Sequence, residues 1–328
     1  MSDPATEGRR NYERQREDER TAKSVDTVEV LALINGTSPL ADALEPEMVS
    51  GAYEDAAYEH SGDDEELAES LLVRMQDDDQ GHIWEEVERR ADLLGEHYPF
   101  DVKRASLRSR AGPEHVWYLF CLAVSHEKML SSSETKCLPI AFERLAMWAM
   151  GSLVGAQASE MDRTGWPRDH AMEDGTSRFR ETVERLHAKT GEWHWGPQEG
   201  MPDNPDSRYV KDCGLDFVVW RALPDNRPPS LFFLGQCACG EEWDGKGSDL
   251  DPRLQDLGNW LNPVAYVEPV RVLAIPHMLS NRITLRTASK RAGLLLERTR
   301  IVSLASQSEV ASSKAPDYLA LAKRTLGF

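Results

Sequence analysis

An aspartate that opens one apolar strand and a glutamine that closes the next are the residues of this sequence best spaced for chemistry. Asp216 precedes Phe217, Val218, Val219 and Trp220, a run of β-branched and aromatic side chains that predicts a buried strand. The segment Pro224, Asp225, Asn226, Arg227, Pro228, Pro229 then forces a turn, because consecutive prolines donate nothing to a ladder and keep the residues before them out of the helical region. Leu231 to Leu234 follow and lead into Gly235 and Gln236, so the pair reads as an antiparallel hairpin with a long connection. Side by side, the strands bring Asp216 and Gln236 to one end of the sheet, where a carboxylate and an amide oxygen can share a hard cation. Mg²⁺ takes oxygen ligands and keeps waters, one of which becomes a nucleophile while the ion neutralises a phosphate, so the expected chemistry is phosphodiester hydrolysis.

An acidic residue at the start of one hydrophobic strand, then a hairpin, then Glu or Gln two residues before Lys, is a pattern that this segment resembles in part. It is that of the PD-(D/E)xK superfamily, the restriction-endonuclease-like nucleases. The resemblance implies that Asp216 is the metal-binding aspartate and that Gln236 stands at the Glu/Gln position. Ala238 occupies the lysine position, which implies a lysine brought from a neighbouring element; Lys246 is the nearest, with Lys211 less well placed. Glu184, on the flank of a helix that the pattern starts near Ser177, stands where such a core offers a third metal carboxylate; an exposed helical glutamate is the alternative. The implied activity is a Mg²⁺-dependent DNA endonuclease, with Mn²⁺ as a substitute, serving prokaryotic genome defence under the control of a protein partner. The competing expectation is a catalytically inactive nuclease-like binding or adaptor subunit, because Ala238 and the neutral Gln236 both weaken metal chemistry.

The elements that must hold this site fit an α+β (α/β) fold class. We expect a disordered charged tail over residues 1–25, an acidic helical domain over 26–135, and a restriction-endonuclease-like mixed β-sheet flanked by helices over 136–328. Val28, Val30, Leu31, Leu33 and Ile34 predict a helix that stops at Asn35-Gly36. Two acidic amphipathic helices follow, one through Leu67, Leu71, Leu72 and Met75, the other through Ile83, Trp84, Val87, Ala91 and Leu94, with Asp77, Asp78 and Asp79 as the break. Pro113 starts a helix with almost no polar face, and another runs from about Pro139 to Ala158. Phe179, Val183 and Leu186 mark the helix before the hairpin. After the hairpin come a helix through Leu254, Leu257, Trp260 and Leu261, a buried strand at Val270–Ile275, an apolar run at Leu294–Leu296 with a further strand or two expected, and a helical tail from Pro316 to Leu326.

Charge is distributed unevenly along the 328 residues. The net charge is −18, and residues 1–100 hold 27 of the 56 acidic side chains against 9 of the 38 basic ones, so the rest of the chain is balanced. Residues 271–328 carry ten basic and three acidic side chains. The basic part suits DNA phosphates, and the acidic front either solvates helices or docks a basic protein partner. No apolar run approaches the ~18 residues a bilayer span needs, which makes the expected address cytoplasmic, without membrane contact. Five irregularly spaced cysteines suit reduced thiols.

Other chemistry lacks its signals. Cys213, Cys237 and Cys239 have poor zinc spacing, and small buried thiols on one strand face explain the latter two as well. Trp193, His194 and Trp195 could stack on a base or plug the edge of a core, and the plug is the preferred reading. Walker, dinucleotide-binding, zinc-protease and serine-hydrolase motifs do not occur.

Overall fold

The computed structural model describes residues 4–44, 51–61, 64–103, 105–130, 132, 134–167, 179–203, 213–246, 256–261, 265–280 and 282–328, so Lys211 and Leu254 lie outside the described residues. The chain is mixed α and β and divides into two compact units. The first comprises residues 1–126, 278–284 and 319–328, and the second comprises 127–277 and 285–318.

The first unit is built on two long helices, α1 (Pro4–Asn35) and α3 (Glu65–Leu94), with the shorter α2 (Ala52–Ser61) against α3. Residues 4–25 of the stretch expected to be a disordered tail fall within α1, where opposite charges four apart, Glu19 and Lys23, add support. Nor does the aspartate triplet break α3. Asp79 accepts from the Tyr53 hydroxyl at 2.8 Å and pairs with Arg20, so a residue expected to end a helix holds it against α1 and α2.

The expectation of a purely helical front is also corrected. Strands β1 (Thr37–Pro39), β2 (Phe100–Lys103) and β3 (Ser106–Ser109) form an antiparallel sheet in the order β1-β3-β2, too short and polar to show a period-2 pattern. Helix α4 (Val116–His126) follows, with every residue from Val116 to Val124 buried.

A fully buried guanidinium holds this unit together. Arg90 donates from Nε to Glu86 at 2.8 Å, from Nη1 to Asp26 at 2.7 Å and from Nη2 to the Ala22 carbonyl at 3.0 Å, while its Nη1 lies 3.0 Å from Glu29. The hydroxyls of Tyr98 and Tyr118 donate to Glu29 at 2.8 and 2.7 Å. Every carboxylate in this interior thus has a donor, the condition for keeping charges out of water.

The second unit is a five-stranded sheet with helices on both faces. Its order is β4 (Met161–Arg163), β5 (Phe217–Arg221), β6 (Leu231–Cys237), β7 (Val270–Ala274), β8 (Leu294–Leu296). The first three strands are antiparallel neighbours, whereas β6, β7 and β8 run parallel. The hairpin expected at 217–236 forms with Phe217 opposite Gly235, and the Phe217 ring lies over that glycine, where any side chain would collide with it.

Helix α5 (Cys137–Val154) covers one face of β4, β5 and β6, with α8 (Arg298–Ala305) packed on it. By length and composition α5 could cross a membrane, yet most of it is buried in this core. Helix α6 (Phe179–Thr190) covers the other face, through Phe179, Val183 and Leu186 against Val218, Trp220, Phe232 and Leu234. Trp193, buried completely, meets Phe232 edge-on at 5.0 Å, which makes it the core plug. The expected helix near Trp260 is a 3₁₀ turn, Asp256–Asn259, among the described residues. Helices α7 (Arg282–Ala292), α9 (Glu309–Ser312) and α10 (Ala315–Leu326) complete the chain.

Candidate active site at the end of the antiparallel hairpin

Asp216 sits one residue before β5, where the ladder changes step. Its amide donates to the Gly235 carbonyl at 2.9 Å, although the register that pairs Phe217 with Gly235 places Gln236 opposite Asp216. A one-residue offset of this kind bends a strand and re-aims the side chain beside it. The amides of Thr164 and Gly165, just past β4, both donate to the Asp216 carbonyl, at 2.8 and 2.9 Å, and hold the backbone in place. The carboxylate is oriented as well: Oδ2 accepts from the Cys237 amide at 2.6 Å.

The other oxygen faces a carboxylate that the sequence did not single out. A side chain begun at Gly165 would stand 3.0 Å from Asp216 Oδ1 and 2.9 Å from the carboxyl carbon of Glu143. Glu143 projects from α5, is 7% exposed, and is matched at 2.6 Å by Nη2 of Arg163 on β4, whose Nη1 donates to the Pro167 carbonyl at 2.8 Å. Two carboxylates and one guanidinium therefore converge on the space that the missing side chain of Gly165 leaves open. Alternation accounts for the convergence: Arg163 pairs with Phe217, and Met161, two residues back on the same face, touches Gly151 of α5.

The thiol of Cys237 shares this surrounding. Burial, reinforced by the negative charges of Asp216 and Glu143, pushes it well above the usual thiol range, so it remains protonated and is a poor nucleophile. Among the described residues no group of three or more His, Cys, Asp and Glu side chains is arranged to hold a metal ion. The oxygens that this end of the hairpin would offer a hard cation are those of Asp216 and Glu143.

The expected residues are placed as follows. Asp216 is at the site. Gln236 is 5% exposed and, by alternation along β6, shares the face of Phe232 and Leu234 under α6, away from Glu143, so it is not the second oxygen beside Asp216. Glu184 lies on α6, exposed and bonded to Arg180 at 2.6 Å, on the opposite side of the sheet from α5. Lys246 is exposed at the end of the 3₁₀ turn Trp243–Lys246. Glu143 was missed because it is a single acidic residue in the apolar helix Cys137–Val154. A buried carboxylate within such a helix is itself a signal, since burying an unpaired charge is costly.

No protein-family model, curated protein or solved structure matches this chain.

Proposed function

We propose that the second unit is a metal-dependent DNA endonuclease related to the restriction-endonuclease-like enzymes. Asp216 and Glu143 would hold the divalent cation, Mg²⁺ or Mn²⁺. The observation that carries the reading is the meeting of Asp216 Oδ1 and the Glu143 carboxylate at Gly165, on a mixed sheet flanked by helices. Glu143 takes the part of the extra helical carboxylate that the resemblance gave to Glu184. When bound, such a cation supplies an activated water and neutralises phosphate charge.

The chain's own residues arrange the rest. The Cys237 amide donates to Asp216 Oδ2 and fixes the orientation of the carboxylate. Arg163 pairs with Glu143 at 2.6 Å and would supply the positive charge that the resemblance assigns to the absent lysine. It cannot relay a proton, because a guanidinium stays charged throughout the working pH range.

That ion pair, with Ala238 in the lysine position, also favours a second reading, a scaffold that binds without cleaving. The two separate in a nicking assay on supercoiled plasmid with Mg²⁺ or Mn²⁺. The nuclease converts plasmid to open circle, and Asp216→Asn and Glu143→Gln each abolish the conversion while leaving the circular dichroism unchanged. An intact wild-type plasmid in both metals overturns the enzyme reading and leaves the scaffold.

A further inference from the structure

From Pro269 to Leu296 the chain has no acidic residue and five basic ones, Arg271, Arg282, Arg286, Lys290 and Arg291, in a protein whose net charge is −18. The segment is β7, α7 and the start of β8. Between Leu285 and Ala292 the exposed positions are Arg286, Thr287, Lys290 and Arg291. Arg271, partly exposed, stands at the C-terminal end of the same helix: a side chain begun at Gly293 would touch its Cβ at 3.3 Å.

Among the described residues none of these four cations has a carboxylate partner, whereas Arg163, Arg180, Arg185, Arg221 and Arg227 in the same unit each have one. Basic side chains in a last helical turn offset the helix dipole, which accounts for Lys290 and Arg291. It does not account for Arg286 or for Arg271 on the neighbouring strand.

We infer that Arg271, Arg286, Lys290 and Arg291 form a docking surface for the phosphate backbone of duplex DNA. Three features select this occupant. The patch is uniformly positive within an acidic chain, so it complements a polyanion. Arg286 and Lys290 are one helical turn apart, about 6 Å along the axis, a spacing that lets each meet its own phosphate on a strand carrying one per ~3.4 Å. Among the described residues, exposed apolar surface on α7 is limited to Ile283, a single side chain one turn before Arg286, less than a protein partner's anchor cluster needs. The choice of DNA rests on the proposed nuclease reading, but the surface is tested without cleavage.

The experiment is fluorescence anisotropy of a labelled duplex of about 20 base pairs with the full chain, in EDTA, across a salt series. The triple variant Arg286→Gln/Lys290→Gln/Arg291→Gln changes only exposed side chains. Three lost phosphate contacts lower the slope of log K against log salt by about 2.7 and weaken binding at every salt concentration. The control Arg227→Gln, which removes a cation already paired with Asp225 at 2.7 Å, leaves the slope as it was.

A slope unchanged in the triple variant overturns the inference, as does a wild-type chain that fails to bind at about 50 mM salt, where phosphate contacts are strong. Displacement of the duplex by poly-glutamate at equal charge overturns DNA as the occupant in favour of an acidic protein. Loss of nicking with an intact slope change defeats the nuclease reading alone; nicking with no slope change defeats this surface alone.

Discussion

Gly165 is the residue on which the site depends, because only an absent side chain lets Asp216 and Glu143 face a common space. Gly165→Ala sets a methyl group against both carboxylates. On the proposed nuclease reading, the expected outcome is loss of plasmid nicking and of Mn²⁺ binding by calorimetry, with a modest fall in melting temperature; Mn²⁺ binding retained in the variant would count against a metal held by Asp216 and Glu143. Cys237 makes a second prediction at this scale. Its raised thiol predicts slow alkylation by iodoacetamide at pH 8 in the folded chain and ordinary rates in urea, read at that peptide by mass spectrometry. The hairpin and Asp216 were legible from residue types and spacing. The strand pattern assumes an unbroken register, so it gave no sign of the one-residue offset at Asp216.

At the scale of elements, two buried charge systems fix how segments meet. Glu192 is almost fully buried and accepts from the amides of Ser230 at 2.8 Å and Tyr266 at 3.0 Å, tying the loop after α6 to the start of β6. Glu192→Ala orphans both amides and costs about 2–4 kcal/mol in urea unfolding. In the first unit, Arg90→Ala leaves Asp26, Glu29 and Glu86 without their shared cation and costs about 3–5 kcal/mol. Arg90→Lys does not restore it, because a single ammonium cannot reach partners that Nε, Nη1 and Nη2 meet separately.

The same network predicts a pH dependence. Burial would raise the Glu86 carboxyl, but the charge of Arg90 and the hydrogen bonds from Arg89 outweigh it and hold it below 4.5, its ordinary value. A depressed folded value means that its stabilisation is complete above that ordinary value and drains as pH falls through the folded one. Urea midpoints of the first unit therefore hold steady near neutrality and drop in acid, and Glu86→Gln flattens that acid limb.

For the whole molecule, the two units interleave in sequence. Buried Met278, Leu279, Ala322 and Leu326 belong to the first unit although they come from the far end of the chain. Residues 1–126 expressed alone therefore lack part of their own core. We expect a lower melting temperature and broader amide resonances than the same residues show in the full chain; an equally stable fragment would show those four side chains to be dispensable. The first unit's leading segment ends at His126 rather than at the expected 135, and the return of residues 278–284 and 319–328 was not legible, since periodicity carries no address for the element a helix joins.

Local patterning was enough to specify the hairpin, the core helices α4, α5 and α6, the strand β7, and the polarised charge, because each depends on neighbours in sequence. Short polar strands such as β1–β4 left no such trace. Packing was needed to choose Glu143 over Glu184 and Gln236: which far-off helix lies across the Asp216 end of the sheet, and which face a register offset presents to it, are set by contacts between elements.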